Sequence, residues 1–595
     1  MMKIETTLKK TFGFKKFRPY QKEIISHILD GRDVFASLPT GGGKSICYQL
    51  PALHFPGITM VLSPLVALMK DQVDGARDCG IEAYCLNSSL SPKEAGAVYR
   101  ALEAGSVKLL YISPERFAIE GFLDQLKQFE ISFVAVDEAH CVSEWGHDFR
   151  PDYLNLSRIR EHFPTAVIAA FTATATLKVQ EDIIGLLKLN DPFSVRASFN
   201  RQELYYRILP KDGANKQICD FIKKHKKQQG IVYRLSRADV EKTAVYLIEK
   251  GIKALPYHAG LSTKIRQKNQ DLFNRDEVDV IVATIAFGMG IDKSNIRFVI
   301  HGDLPKSIEG YYQETGRAGR DGLPSECLLL YSAGDLSKIH FFIDKMTDDK
   351  EKARANRNLN HMASLATVNV CRRKQILEYF NQEYNENCGA CDICNGEAEQ
   401  VDGTVDAQKI LSAMKRTNEV FGIAHIIDIV KGADTEKIRK FGHHEIKTWG
   451  AGKERSKNWW RSIVNELLGQ KHIYQDRDNY NGLKINPSGS EILFGRAQFI
   501  VLMKKEKKDV EKLSFKEVNY DETLFSLLKE VRTGIAKKKG LPPYIVFSDK
   551  TLKEMSSLRP DDEAAMLRVS GVGERKMEQY GFFFLHEIRA FLGYK

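Results

Sequence analysis

The sequence predicts an α/β protein with two parallel-sheet lobes, followed by smaller, mainly helical units. Three observations predict it. A strand-like run, "DVFASLP", passes through the glycine loop "TGGGKS" into the helical pattern "ICYQLPAL". A second strand-like run, "FVAV", ends in the acidic pair Asp137 and Glu138. After residue 200, the runs "GIVYRLS", "VDVIVAT" and "IRFVIHGDL" alternate with helical stretches, and apolar strands spaced by helices are the pattern of a parallel sheet covered on both faces.

At 595 residues the chain exceeds one core several times over, so three or more domains are expected. With 43% hydrophobic and 28% charged residues it reads as globular, and no apolar run approaches the roughly 20 residues that span a bilayer. The amino end, "MMKIETTLKKTFGFKK", lacks an apolar signal core, which predicts an intracellular protein. A formal charge of +11 suits a polyanionic partner, although that balance is common in other proteins too.

The glycine loop is a phosphate cradle. Following Thr40, Gly41, Gly42 and Gly43 let backbone N–H groups turn inward, Lys44 would reach the outer phosphates, and the Ser45 hydroxyl would bind magnesium. Leu38 stands where the strict pattern has its first glycine, so a plain glycine turn is the competing reading. Asp137 would hold magnesium through water, and Glu138 would orient or deprotonate the water attacking the terminal phosphate. In the second lobe, "GYYQETGRAGRDG" spaces Arg317 and Arg320 by one helical turn, so both could point at transferring phosphate across a cleft. A nucleotide clamped between two lobes couples hydrolysis to lobe movement, which makes a motor.

Other stretches point to further sites. In "GITMVLSPLVALMKDQV", Ser63 and Pro64 break a buried strand pattern where a strand's carboxyl end would face a ligand. After "DEAH" comes "CVSEWGHDFRPDY", whose Trp145, His147, Phe149, Arg150 and Tyr153 are too mixed with polar residues for a buried strand. Aromatic faces there can stack on unpaired bases and Arg150 can add a phosphate contact; a hydrophobic plug is the alternative. Of ten cysteines, Cys371, Cys388, Cys391 and Cys394 cluster, with two successive C-x-x-C steps that suit a closed, structural Cys₄ zinc site. "NGEAEQVDGTVD" reads as a polar linker. "KHIYQD" and "NGLKINP" read as a two-stranded wing, while "VLMKKEKKDVEKLSFKE" reads as a solvated connection to a last helical module. On "KNWWRSIVNELL", Lys457 and Arg461 could share a DNA-facing surface, or Trp459 and Trp460 could be core. In the last module Arg532 and Lys537 to Lys539 could offer an auxiliary DNA surface, and the glycines of "GVG", residues 571 to 573, a phosphate site or a plain turn.

Together these residues resemble a superfamily-two helicase, and more closely the RecQ family of DNA helicases. "GFKKFRPYQ" looks like motif 0, "LPTGGGKS" motif I, "LSPLVALMKDQ" motif Ia, "DEAH" motif II, "FTATAT" motif III, "ATIAFGMGIDK" motif V and "QETGRAGRDG" motif VI. The resemblance implies RecA-like lobes over residues 1–200 and 201–340, a zinc-binding subdomain over 341–400, a winged helix over 401–500 and an HRDC bundle over 518–595. It implies that Gln21 contacts adenine, that Thr172 and Thr174 couple the ATP and nucleic-acid sites, and that Ser63 lies along the nucleic-acid groove. Motif IV, "IVYRLSR", departs from the family at Arg234. The expected function is an ATP- and magnesium-dependent 3′–5′ DNA helicase of recombination and repair. Its expected substrates are single-stranded and tailed or forked duplex DNA, with single-stranded-DNA-binding protein as a partner and the bacterial cytoplasm and nucleoid as its location. A translocase without productive unwinding, one acting on RNA included, and an ATPase-silent DNA-binding adaptor are the alternatives.

Overall fold

The computed structural model describes residues 3–593, apart from 65, 88–89, 144–149, 289–292, 369, 397, 471, 477–481 and 505–519. Lobe 1 is a seven-stranded sheet of β1 (Val34–Ser37), β2 (Ile58–Leu62), β3 (Ala83–Leu86), β4 (Leu109–Ile112), β5 (Ile131–Val136), β6 (Val167–Thr172) and β7 (Phe193–Arg196). They lie in the order β3-β4-β2-β5-β6-β1-β7, every pair parallel. Because successive side chains on a strand face opposite ways, β5 sends Phe133 and Ala135 into one core layer and Val134 and Val136 into the other. This double burial is why the strands read as continuous apolar runs.

Lobe 2 repeats the plan with β8 (Leu204–Pro210), β9 (Gln229–Tyr233), β10 (Ala254–Tyr257), β11 (Val280–Ala283), β12 (Ile296–His301) and β13 (Ser325–Tyr331), in the all-parallel order β10-β11-β9-β12-β13-β8. In a parallel sheet all carboxyl ends share one edge, so the loops after β1, β2, β5 and β6 converge on one side of lobe 1.

The cysteine-bearing unit has no separate core. Helices Asp349–Thr367 and Arg372–Tyr379 contribute Leu359, Met362, Ile376 and Leu377 to the same cluster as Ile231, Val299 and Cys327 of lobe 2. Its loop also closes on the β8 edge, where the Tyr206 amide donates to Ala390 O at 3.1 Å and the Asp392 amide to Tyr206 O at 3.0 Å. A buried bidentate pair, Arg372 to Asp392 at 3.0 and 3.2 Å, fixes that loop from below.

Two expectations about connections need correction. The polar stretch after residue 395 is not only a linker: β14 (Ala398–Asp402) pairs antiparallel with β17 (Ile500–Lys504), the start of the lysine-rich run, Ala398 opposite Lys504 and Asp402 opposite Ile500. Pairing between a polar strand, AEQVD, and an apolar one, IVLMK, about 100 residues apart leaves no shared signal in the local sequence. The predicted wing is present as β15 (Ile473–Asp476) against β16 (Gly482–Ile485). Behind it, Ile410, Ile426, Trp460, Leu467 and Leu483 make a separate winged-helix core.

The terminal module is a helical bundle, with Leu524, Leu528, Met555, Tyr580, Phe584 and Ile588 at its centre. It lies across the cleft between the lobes. Among the described residues, no helix is long and apolar enough to cross a membrane.

Candidate active site and metal centre

The cradle forms as its residue types require. Gly41 and Gly43 have φ of +78° and +83°, the left-handed region where a side chain is strained. A Cβ on Gly43 would also sit 2.4 Å from Gln21 Nε2, and one on Gly42 would sit 2.8 Å from Pro39 O. Helix Lys44–Ala52 starts immediately after, so its unpaired first-turn N–H groups point into the cleft with the loop. Gln21 is buried, its Oε1 accepting from the Arg18 amide at 2.8 Å and its Nε2 donating to Gly43 O at 3.0 Å. In this conformation both ends of its amide brace the cradle rather than facing a base.

The acidic pair stands opposite. Lys44 Nζ is 3.7 Å from Glu138 Oε1. Glu138 itself has φ +48° and ψ +42°, a strained setting for a non-glycine residue that costs of the order of 1–3 kcal/mol and concentrates at functional sites. Asp137 is anchored from behind: its amide donates to Leu62 O at 2.8 Å, and the Tyr153 hydroxyl donates to its carbonyl at 3.1 Å. Burial pushes the Tyr153 hydroxyl well above its ordinary range, so it stays protonated and remains a donor. His140 joins the acid to the next strand, with Nδ1 3.3 Å from Glu138 Oε2 and 3.0 Å from the hydroxyl of Thr172. Thr172 in turn accepts from the Thr174 amide at 3.2 Å. A continuous polar chain thus runs from the phosphate side of the cleft to the "FTATAT" loop.

Lobe 2 supplies the arginines from a turn rather than a helix. Helix Ile308–Thr315 ends before them, and Gly319, at φ +65°, bends the chain between Arg317 and Arg320. The Arg317 guanidinium is buried and donates to Gly288 O, while a Cβ on Gly41 would lie 3.4 Å from the Arg320 Cα. Arg201 is a further residue of the site that carries no motif in the sequence. Its Nη1 donates to Thr40 O at 2.5 Å and Gly316 O at 3.2 Å, and its Nη2 donates to Ala318 O at 2.8 Å, tying the cradle to the arginine turn. Arg201 lies between two lobes, outside any periodic pattern, so only its position at the predicted lobe boundary could have drawn notice. The cleft so enclosed has a volume of about 430 Å³.

The expected nucleic-acid face is only partly in view. Trp145, His147 and Phe149 lie outside the described residues. Arg150 is half-buried and its Nη1 donates to Pro64 O at 3.0 Å, joining the aromatic-rich loop to the end of β2. Ser63 directly follows β2, and its side chain is buried with a hydroxyl that has no hydrogen-bond partner. Trp460 is core, donating to Gly452 O at 2.8 Å; Trp459 donates to Asp406 at 2.8 Å beneath Arg455. Lys457 pairs with Asp428 at 2.7 Å, and Arg461 is exposed. Arg532, expected on a DNA surface, is fully buried against Asp549 at 2.8 Å, whereas Lys537 and Lys538 are exposed. The Gly571 amide is occupied by Gly13 O at 3.0 Å, so "GVG" is a packed turn rather than a phosphate site.

The four clustered cysteines meet as the spacing predicts. Their sulfurs all lie within 4.8 Å of one another, with Cys388 to Cys394 at 3.6 Å and Cys391 to Cys371 at 4.0 Å. Ligands about 2.3 Å from a tetrahedral zinc stand about 3.8 Å apart, so the set fits zinc with no open position. Amides of Lys374, Ala390 and Cys394 point at Cys371, Cys388 and Cys391 at 3.3–3.5 Å, and hydrogen bonds led by Cys388 hold the Cys371 thiol below its ordinary range.

Two all-parallel lobes, with a phosphate cradle and acidic pair on one and an arginine turn on the other, define a nucleotide-driven motor of the DEAD/DEAH-box helicase class. Comparison with known proteins agrees. The DEAD/DEAH box helicase model matches residues 18–183, the helicase conserved C-terminal domain 213–322, the RecQ zinc-binding model 333–395, the RQC domain 397–511 and the HRDC domain 521–588. The chain is 41% identical over 582 residues to the ATP-dependent DNA helicase RecQ of Pasteurella multocida, covering 97% of this chain and 92% of that protein. It is 41% identical to the Haemophilus influenzae RecQ (97% and 94% covered) and 38% identical to that of Bacillus subtilis (98% and 97% covered). The chain belongs to the RecQ family of ATP-dependent DNA helicases.

Proposed function

We propose that this helicase hydrolyses magnesium-ATP in the interlobe cleft and uses the lobe movement to travel 3′ to 5′ along single-stranded DNA, opening duplexes during recombination and repair in the bacterial cytoplasm. The observation that carries the motor reading is the Arg201 bridge, which joins the Thr40 carbonyl of the cradle to the arginine turn of lobe 2. Family membership supports the polarity and the pathway. In the cleft, the cradle amides and Lys44 would bind the phosphates, and the Ser45 hydroxyl and Asp137 would hold magnesium, which when bound neutralises phosphate charge. Glu138 would orient the attacking water, and Arg317 and Arg320 would stabilise charge on the transferring phosphate. His140 would report the state of Glu138 to Thr172 and Thr174, and the loop carrying Trp145, His147, Phe149 and Arg150 would sense unpaired bases. Single-stranded and tailed or forked duplex DNA are the substrates, and a single-stranded-DNA-binding protein is a natural partner at the strand released.

The test is ATP hydrolysis and strand separation on a 3′-tailed duplex, with a 5′-tailed control and Lys44→Ala. Unwinding of the 3′-tailed DNA alone, abolished in Lys44→Ala, is expected. Unwinding from the 5′ tail would overturn the polarity, DNA-stimulated hydrolysis without strand separation would leave a translocase, and no hydrolysis would leave an adaptor.

A further inference from the structure

The cleft has three walls, and the third belongs to the terminal bundle. Its space is lined by Thr40, Lys44 and Arg320 of the motor and by Tyr544, Phe547 and Thr551 of the bundle. The bundle touches both lobes. On lobe 1, the Gly571 amide donates to Gly13 O at 3.0 Å, and the contact is so close that a Cβ on Gly13 would sit 2.5 Å from Gly573 N and 2.6 Å from Val572 C. Lys10 faces Glu574 at 3.8 Å, Lys15 faces Glu554 at 3.7 Å, and a Cβ on Gly80 would sit 2.7 Å from Arg575 Nη1. On lobe 2, the Lys293 ammonium stands 5.5 Å from the Tyr544 ring centroid. Gly13 is flanked by Phe12 and Phe14, which line the same cleft with Arg18, so the docked bundle adjoins the cleft wall.

We propose that the docked HRDC bundle is a nucleotide-retaining wall of the ATP site: adenine nucleotide in the cleft is enclosed by it, and leaves readily only when the bundle lifts off the lobes. This rests on the cleft being the ATP site. The bundle has a core of its own, separate from those of the lobes, so undocking is accessible without unfolding it.

Gly573 offers a clean perturbation. Its backbone, φ −89° and ψ 165°, suits any residue, yet the three atoms nearest an added Cβ are lobe-1 backbone: Lys10 O at 3.1 Å, Gly13 N at 3.2 Å and Thr11 O at 3.3 Å. Gly573→Leu in the full chain should therefore undock a folded bundle. Gly13→Asn blocks the same contact from the core side, leaves the bundle sequence untouched, and uses the residue that best tolerates the left-handed region after glycine. Release of a fluorescent N-methylanthraniloyl ADP is measured by stopped flow, with amide hydrogen exchange confirming that the bundle helices stay protected. Both variants should release the nucleotide about tenfold faster than the parent, the fold-change for losing one buried hydrogen bond and its packing. Release within twofold of the parent in both variants overturns the proposal, as does faster release in Gly573→Leu alone, which would mark a local defect in the bundle. Failure of the parent itself to bind the probe, or binding unchanged by Lys44→Ala, would instead overturn the assignment of the cleft.

Discussion

Replacing Arg201 by alanine tests whether the lobes are held in register from the cradle. Hydrogen bonds from a charged donor are worth about 1.5–3 kcal/mol each. Of the three carbonyls that Arg201 serves, Gly316 and Ala318 lie on its own lobe, and only Thr40, at 2.5 Å, lies across the cleft. Losing that single bond should lower the population with lobes engaged by about 10- to 150-fold. If hydrolysis requires the arginine turn against the cradle, kcat for DNA-stimulated ATP hydrolysis falls by that factor, with a smaller change in KM. The substitution also strands the Glu203 carboxylate, which Arg201 Nε now meets, and this should lower Tm. The double variant Arg201→Ala/Glu203→Gln separates the two effects, restoring Tm but not turnover. Turnover within twofold of the parent in the single variant would refute the reasoning, whatever happens to Tm.

Three further outcomes follow from the packing. Chelation or Cys388→Ala should remove zinc and, with it, folding free energy on the order of 10 kcal/mol; because the unit shares the lobe 2 core, the melting of lobe 2 should fall in the same transition, and an unchanged scanning-calorimetry profile would contradict this. Arg532→Ala should leave Asp549 buried without its partner and destabilise the bundle by about 3–5 kcal/mol, read as lost amide protection in its helices. Burial between the winged helix and lobe 2 pushes Glu466 up from 4.5 to about 7, so between those values the native state keeps a proton that the unfolded chain has released. Stability should therefore fall as pH rises through that window, by up to about 3 kcal/mol, and Glu466→Gln should flatten the dependence and raise Tm at pH 8.

What the sequence shows and what it hides divide along a physical line. The cradle and the acidic pair are legible because each packs its chemistry into a few adjacent residues at the end of a strand that is apolar on both faces, and the Cys₄ cluster because its C-x-x-C steps have ligand spacing. Arg201, the β14–β17 pair and the docking of Gly571 on Gly13 are not legible, since each joins segments far apart in the chain with no local pattern. Arg532 misleads for a related reason: beside three lysines it reads as surface, but its helix turns it toward Asp549 and the Phe547 carbonyl. The burial of the Ser63 hydroxyl and the bond from the Gln21 amide to Gly43 O are side-chain orientations that no sequence pattern encodes.

The closing of the cysteine loop over β8 bears on how the chain is made. The Ile208 amide waits for the Asp392 carboxylate, 184 residues later. At a synthesis rate of about 5–20 residues per second, the edge of lobe 2 emerges from the ribosome roughly 10–40 s before the segment that covers it. During that interval an unpaired strand edge is open to pairing with another chain. If zinc fixes the loop that closes this edge, the interval ends only once residues 388–394 have emerged and the metal is bound, which would give the metal a part in biogenesis distinct from its part in the finished fold.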